Sequence, residues 1–167
     1  MYQLSVLVHL VSAVVWVGGM LFLALVVVPA TRSLPALERG RLIGAIGRRF
    51  RTVGWICIGL LAVTGTINAV YRGVTWEQIA TGNLLASPFG QLLGVKLLLV
   101  ALMVGISAVH DFVLGPAATR IVERGHPKAM ERAETLRRGA SWLGRINTFL
   151  GLLVLALAVA LVRGLPR

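Results

Sequence analysis

Ionisable side chains interrupt the apolar stretches of this sequence at only a few positions. His9, Lys96, His110 and Asp111 each lie within or at the edge of a long run of aliphatic residues. An ionisable group at such a depth is costly in an apolar environment, so its default interpretation is functional. Imidazole can coordinate a metal ion or haem iron, and an ammonium group can pair with a carboxylate. These residues are therefore the first candidates for a site.

Helical spacing connects these residues to sulfur-containing and polar side chains. Residues seven or eleven apart lie on one face of a helix. Three such faces are His9–Trp16–Met20, Cys57–Thr64–Asn68 and Lys96–Met103–His110. Sulfur and imidazole are the ligands that suit Cu(I). The candidate metal ligands are accordingly His9, Met20, Cys57, Met103 and His110.

Four apolar runs position these residues, at about 4–29, 53–71, 89–114 and 142–162. Each is near or above the ~20 residues that cross ~30 Å of hydrocarbon. With 57% hydrophobic and 14% charged residues, the chain is too apolar for a soluble domain of this size. We therefore expect an all-α fold, an integral membrane four-helix bundle formed by a single transmembrane domain over residues 1–167.

The basic residues are concentrated in two segments between the apolar runs. Residues 31–52 contain six arginines and one glutamate, and residues 116–140 contain six basic and three acidic residues. The positive-inside rule places both segments in the cytoplasm and both termini outside. Topology thus explains the net charge of +11 without a nucleic-acid partner. We expect a protein of the bacterial plasma (inner) membrane whose basic segments face anionic lipid headgroups; a homo-oligomer or a larger membrane complex stays open.

Local patterns predict further structure between the apolar runs. Residues 42–50 place apolar side chains at helical spacing with arginines between them, which predicts an amphipathic helix at the inner interface. Thr75 and Gln78 have the spacing of a capping box. Ser87 and Pro88 suit the N-cap and the first position of the third membrane helix.

Depth in the membrane groups several of the polar residues. With a rise of 1.5 Å per residue, His9 and Lys96 lie about 7 Å and about 10 Å below the outer boundary. Asn68 and Tyr71, near the outer end of the second helix, belong to the same layer. We expect these four residues to form an outer polar cluster in which His9 faces Lys96. Trp16 shares the face of His9 and is a further candidate for contact with a cofactor.

Several short motifs together resemble the CopD family of copper-resistance membrane proteins. They are His9 followed by Trp16-Val17-Gly18-Gly19, then Arg48-Arg49-Phe50, Thr64-Gly65, and Ser87-Pro88-Phe89-Gly90 leading to Leu93 and Lys96. The pattern is also similar to that of the membrane-integral protoporphyrinogen oxidases, four-helix proteins thought to hold haem b. The resemblance implies that His9 and Lys96 match functional positions of these families. CopD proteins usually have additional helices, which this chain lacks.

Three functions remain open from the sequence. The first is binding or passage of copper, with stations at His9, then Met20 and Met103, then Cys57 and His110. The second is a haem b-binding membrane oxidase in which His9 is an axial ligand and Lys96 pairs with a propionate or a substrate carboxylate. The third is a non-catalytic membrane subunit or assembly factor. Whether the chain is an enzyme is left undecided.

Overall fold

The computed structural model describes residues 1–117 and 127–163. Within these ranges, four helices are long and apolar enough to cross a membrane: Tyr2–Ser33, Glu38–Tyr71, Pro88–Ala117 and Arg138–Val162. The same residues contain no β-strand. The predicted all-α fold with four membrane helices is therefore confirmed. The side of the membrane on which the termini lie stays a prediction.

The helical elements have the following bounds. In chain order they are α1 (Tyr2–Phe22), its π-helical continuation Leu23–Val27, the turns Val28–Ala30 and Thr31–Ser33, α2 (Ala36–Tyr71), α3 (Trp76–Ala80), the 3-10 turn Asn83–Ala86, α4 (Pro88–Ala108), its π-helical continuation Val109–Leu114, and α5 (Pro127–Arg163). The π-helical widening after α1 precedes Pro29, whose ring crowds the carbonyl four residues earlier.

The helix α2 is longer than the apolar run that predicts it. The sequence places a membrane helix at 53–71 and a separate amphipathic helix around 42–50, whereas the structure joins both in one helix of 36 residues. No proline occurs between Pro35 and Pro88, so no residue in this stretch forces the helix to end. At 1.5 Å per residue α2 is about 54 Å long, which exceeds the ~30 Å of hydrocarbon. Its arginine-rich first part therefore extends beyond the hydrocarbon.

Local hydrogen bonds organise the connection between α2 and α4. The Thr75 hydroxyl accepts a hydrogen bond from the Gln78 amide at 3.3 Å, and the Gln78 side chain accepts one from the Thr75 amide at 3.2 Å. The predicted capping box is thereby confirmed. The Ser87 hydroxyl accepts a hydrogen bond from the Gly90 amide at 3.0 Å, which confirms the predicted N-cap of α4.

The second basic segment of the sequence is divided between a helix and residues outside the described ranges. α5 begins at Pro127, a residue suited to the first helical position because it needs no N–H partner there. It is 37 residues long and includes residues 127–140, which the sequence assigns to a loop. Residues 118–126, with Arg120 and Arg124, lie outside the described residues.

The chain divides into two compact units, Met1–Gly94 and Val95–Arg167, and each is described by itself. In the first unit, α1 packs against α2. In the second unit, α5 packs against the π-helical end of α4. There the Asn147 side chain donates a hydrogen bond from Nδ2 to the Ser107 hydroxyl at 2.9 Å.

The helices α1 and α2 run antiparallel in the first unit. The rings of Tyr2 and Tyr71 lie 5.2 Å apart at one end of their interface, which we call the tyrosine end. At the other end, Gly19 lies against the ring of Phe50. We call this the arginine end, because Arg49 lies beside Phe50 on α2.

Candidate functional site

One face of α1 is buried against α2 and contains the first predicted site residues. Its buried side chains are Ser5, Ser12, Trp16, Val17 and Met20, and His9 is half-buried between the two serines. Apart from Val17, these residues recur every three or four positions, as expected for a helix that packs on one neighbour. The stripe is polar toward the tyrosine end and apolar toward the arginine end.

His9 is held by Thr64 of α2. Nδ1 of His9 lies 2.8 Å from Oγ1 of Thr64, and this hydroxyl donates its hydrogen to the Leu60 carbonyl at 2.6 Å. A hydroxyl has a single hydrogen, so Thr64 can only accept from His9, and Nδ1 must carry the proton. In the neutral form of the imidazole, the lone pair is then on Nε2. Metal-binding histidines commonly have this arrangement, in which one ring nitrogen donates a hydrogen bond and the other coordinates.

Small residues allow α1 and α2 to approach closely around His9. The Ser5 hydroxyl donates a hydrogen bond to the Thr64 carbonyl at 3.4 Å. A Cβ atom added to Gly65 would lie 3.3 Å from Cε1 of His9, which is tighter than an ordinary contact. Serine and glycine are the residue types that permit such close packing between membrane helices. The imidazole is therefore fixed by the Thr64 hydroxyl and by the bare backbone of Gly65.

The other predicted members of the outer polar cluster are placed differently. Oδ1 of Asn68 is enclosed, and no described residue donates a hydrogen bond to it. Tyr71 is in ring contact with Tyr2 and is 59% exposed, so it lies at the edge of the interface. Lys96 belongs to the second unit, where it is half-buried on α4. That Lys96 faces His9 stays a prediction.

Cys57 and Met20, the two sulfur ligands predicted in the first unit, are 6% and 9% exposed. Because α1 and α2 are antiparallel, the two residue numbers of each contacting pair add to about 71. By this relation, Cys57 of α2 lies opposite roughly residue 14 of α1. His9, Cys57 and Met20 therefore follow one another in steps of about 8 Å. Cys57 thus lies between His9 and Met20 along the interface, whereas the predicted order places it after Met20. The helix α2 begins well before residue 53 and extends the interface past Met20.

The second unit contains the remaining predicted metal ligands, both on the helix that begins as α4. Met103 is 1% exposed. His110 lies in the π-helical segment, with its Nδ1 3.0 Å from Oδ1 of Asp111. Seven residues, or about 10 Å, separate Met103 from His110 along the helix, so one ion cannot bind both. Among the residues that the structure describes, no three or more His, Cys, Asp or Glu side chains lie close enough together to hold a metal ion.

Thr64 and Ser5 are not among the residues that the sequence predicts for the site. Thr64 is identified there only as part of a helix face and of a family motif, and Ser5 has no role. Their signal is the spacing of Ser5, His9 and Ser12 on an otherwise apolar helix. A polar stripe of this kind indicates a neighbouring helix that offers hydrogen bonds. Ser107 is likewise a polar residue on a largely apolar helix, α4, and the sequence does not predict it as a site residue either.

Comparison with known proteins identifies similar sequences but no similar solved structure. The family model for copper resistance protein D, CopD, matches residues 44–161, a range that includes Cys57, Thr64 and Lys96 but not His9. An uncharacterized protein of Aquifex aeolicus (strain VF5) is 32% identical over 165 residues, which are 98% of this chain and 97% of that protein. No solved structure matches the chain.

A second relative carries the family's description. It is the copper resistance protein D of Pseudomonas syringae pv. tomato, 27% identical over 151 residues, which cover 83% of this chain and 47% of that protein. The chain thus spans about half the length of this relative. These findings support the resemblance to CopD, and they give no support to the resemblance to protoporphyrinogen oxidases or to haem b as a cofactor.

Proposed function

Because the chain belongs to the copper resistance protein D family, we propose that it binds copper within the membrane and passes it along the interface of α1 and α2. Copper is the cargo in this proposal, and Cu(I) is the form that imidazole, thiol and thioether ligands suit. The observation that carries the proposal is the geometry of His9, whose Nδ1–H is committed to Thr64 so that the lone pair is on Nε2.

The ligands of this interface act as separate stations. His9 receives the ion, Cys57 offers a sulfur about 8 Å further along, and Met20 offers the next about 8 Å beyond. A path that conducts must bind its ion at several sites, each weak enough to release it. Buried single ligands at successive levels meet that requirement, whereas a closed cluster of three or four ligands would retain the ion.

Two further side chains assist this path. Trp16 is buried between the levels of His9 and Met20, and the face of an indole ring attracts a cation. Asn68 offers its enclosed Oδ1 as an acceptor for water that accompanies the entering ion. In the second unit, Met103 and His110 supply the same two types of ligand.

The proposed direction follows from charge. With the basic segments in the cytoplasm, the tyrosine end lies near the outer face and the arginine end near the inner face. His9 then receives copper from outside, and Met20 lies toward the cytoplasm.

The test compares two histidine variants of the full chain. The protein is purified in detergent and its Cu(I) affinity is measured by competition with a chromophoric chelator. We expect His9→Ala to weaken Cu(I) binding at least tenfold, about 1.4 kcal/mol. The control His126→Ala removes the same type of side chain from a position outside the described residues and should change the affinity by less than about twofold.

Two outcomes would overturn the proposal. Wild-type protein that binds no Cu(I) would exclude copper as the cargo, and a His9→Ala variant with unchanged affinity would exclude this histidine as its receiver. The visible spectrum of the same samples adds a third measurement. A Soret band that is present in the wild type and absent in His9→Ala would show that His9 binds haem b rather than copper.

A further inference from the structure

A groove opens between α1 and α2 at the arginine end of their interface. Its volume is about 350 Å³, and it is open to the surroundings rather than enclosed. Apolar side chains line it, among them Val15 and Phe22 of α1 and Val53 of α2, together with Arg49. Arg49 is the one charged residue among the described residues that line the groove. The walls are almost entirely apolar, so Arg49 contributes to them the aliphatic part of its side chain, and the residue as a whole is exposed.

Gly19 and Phe50, which both line the groove, contact each other across the two helices. The ring of Phe50 occupies the place where a Cβ atom of Gly19 would lie. Val15 and Phe22, which lie four residues before and three residues after Gly19, have larger side chains that rise on either side of this bare stretch of backbone. The groove lies six or more residues along α1 from His9, which is about 9 Å or more.

The charge around the groove identifies the chemistry of its occupant. The first part of α2 contains Arg39, Arg41, Arg48, Arg49 and Arg51 against the single acidic residue Glu38. Basic residues near a membrane surface attract anionic lipids. A guanidinium group also binds a phosphate through paired hydrogen bonds. An anion with a long apolar tail would complement both the walls and the cation.

We propose that this groove binds an anionic phospholipid, with one acyl chain along the apolar walls and the phosphate paired with Arg49. A second copy of the chain fits less well, because the chain has 17 basic residues against six acidic ones and would bring more positive charge to Arg49. A phospholipid has both an apolar tail and an anionic group in one molecule. Phospholipids also surround every membrane protein at high concentration. The site is independent of the copper proposal, since it uses none of the proposed copper ligands.

The first experiment separates headgroup charge from the acyl chain. Purified full-length protein in detergent is mixed with dioleoyl phosphatidylglycerol or dioleoyl phosphatidylcholine, and bound lipid is counted by native mass spectrometry. We expect the phosphatidylglycerol to bind at least fivefold more tightly. Arg49→Gln should remove this preference, whereas Arg41→Gln, which makes the same change of charge at an exposed position outside the groove, should retain it within about twofold.

A second pair of variants tests the groove itself. Val15→Phe should fill it and weaken phosphatidylglycerol binding at least fivefold, whereas Val14→Phe adds the same ring at a neighbouring exposed position and should have no effect. Equal losses in Arg49→Gln and Arg41→Gln would show general attraction to charge and overturn the proposal. Unchanged binding in Val15→Phe, or dimers that Val15→Phe dissociates, would overturn it as well. The Cu(I) affinity of Arg49→Gln should equal that of wild type.

Discussion

The two ends of the α1–α2 interface hold the same pair of helices together in different ways. At the tyrosine end, His9 and Ser5 make hydrogen bonds to Thr64 at 2.8 and 3.4 Å. At the arginine end, the ring of Phe50 packs into the space left by Gly19, and a groove remains open beside it. One end is fixed by direction-dependent polar contacts, and the other depends on the fit of apolar shapes.

A polar layer can therefore serve both structure and function in a membrane protein. Lipid tails are as apolar as the side chains of the helices, so packing and hydrogen bonds, rather than the hydrophobic effect, hold membrane helices together. The hydrogen bonds around Thr64 fix the offset of α1 relative to α2. The arginine end can then remain open without loss of register.

The largest effect is expected from Thr64→Val at the polar end. Valine keeps the shape of threonine but removes the acceptor of the His9 Nδ1–H, which costs about 1–3 kcal/mol when the donor is buried. Loss of such an outer hydrogen bond typically lowers metal affinity about 10–100-fold. We expect the Cu(I) affinity, measured by chelator competition, to fall within that range.

Thr66→Val is the matched control for this substitution. The Thr66 hydroxyl also donates to the carbonyl four residues earlier, that of Ala62, at 2.9 Å, but the residue is exposed. Its loss should leave the Cu(I) affinity unchanged, and Thr64→Ser should retain most of it because the hydroxyl remains. If the Thr66 and Thr64 variants lose equal affinity, the Cu(I) affinity does not depend on the hydrogen bond that His9 donates to α2.

An intermediate effect is expected from Gly19→Ala at the apolar end. The added Cβ would collide with the ring of Phe50, and overpacking of this kind costs about 1–3 kcal/mol. The higher helix propensity of alanine offsets about 1 kcal/mol of this loss. A net destabilisation of about 1 kcal/mol should appear in the free energy of unfolding, measured by titration with a denaturing detergent.

Gly18→Ala provides the comparison one residue away. A Cβ atom at Gly18 would meet nothing within 4 Å, so this variant should be as stable as wild type or slightly more stable. Equal stability of the two variants would mean that Phe50 does not fill the space beside Gly19, and the contrast between the two ends would then be lost.

The smallest effect is expected from Gly65→Ala, which returns to the polar end. Its Cβ would lie 3.3 Å from Cε1 of His9, so the ring must move by a few tenths of an ångström. A small displacement of a positioned group lowers binding only modestly, and we expect a loss of Cu(I) affinity of about two- to fivefold. Gly59→Ala, where the added Cβ meets nothing within 4 Å, should leave the affinity as it is in wild type.

Local chemistry made part of this structure predictable. The capping box of Thr75 and Gln78 and the N-cap at Ser87 follow from residues three positions apart, and both are confirmed. The length of α2 was not predicted, because hydropathy identifies only the apolar part of a helix. The helix itself extends back through the arginine-rich residues to its N-cap, Pro35.

The amino-acid sequence is enough to predict four helices long and apolar enough for a membrane, with His9 inside the first of them. Both follow from hydropathy and from the helical period, which depend on neighbours along the chain. The packing of α1 on α2 is needed to see that Thr64 fixes the proton of His9, that Cys57 lies between His9 and Met20 along the interface, and that a groove opens beside Arg49. These features depend on which helices pack together and at what offset, and many small contacts between distant residues set that offset.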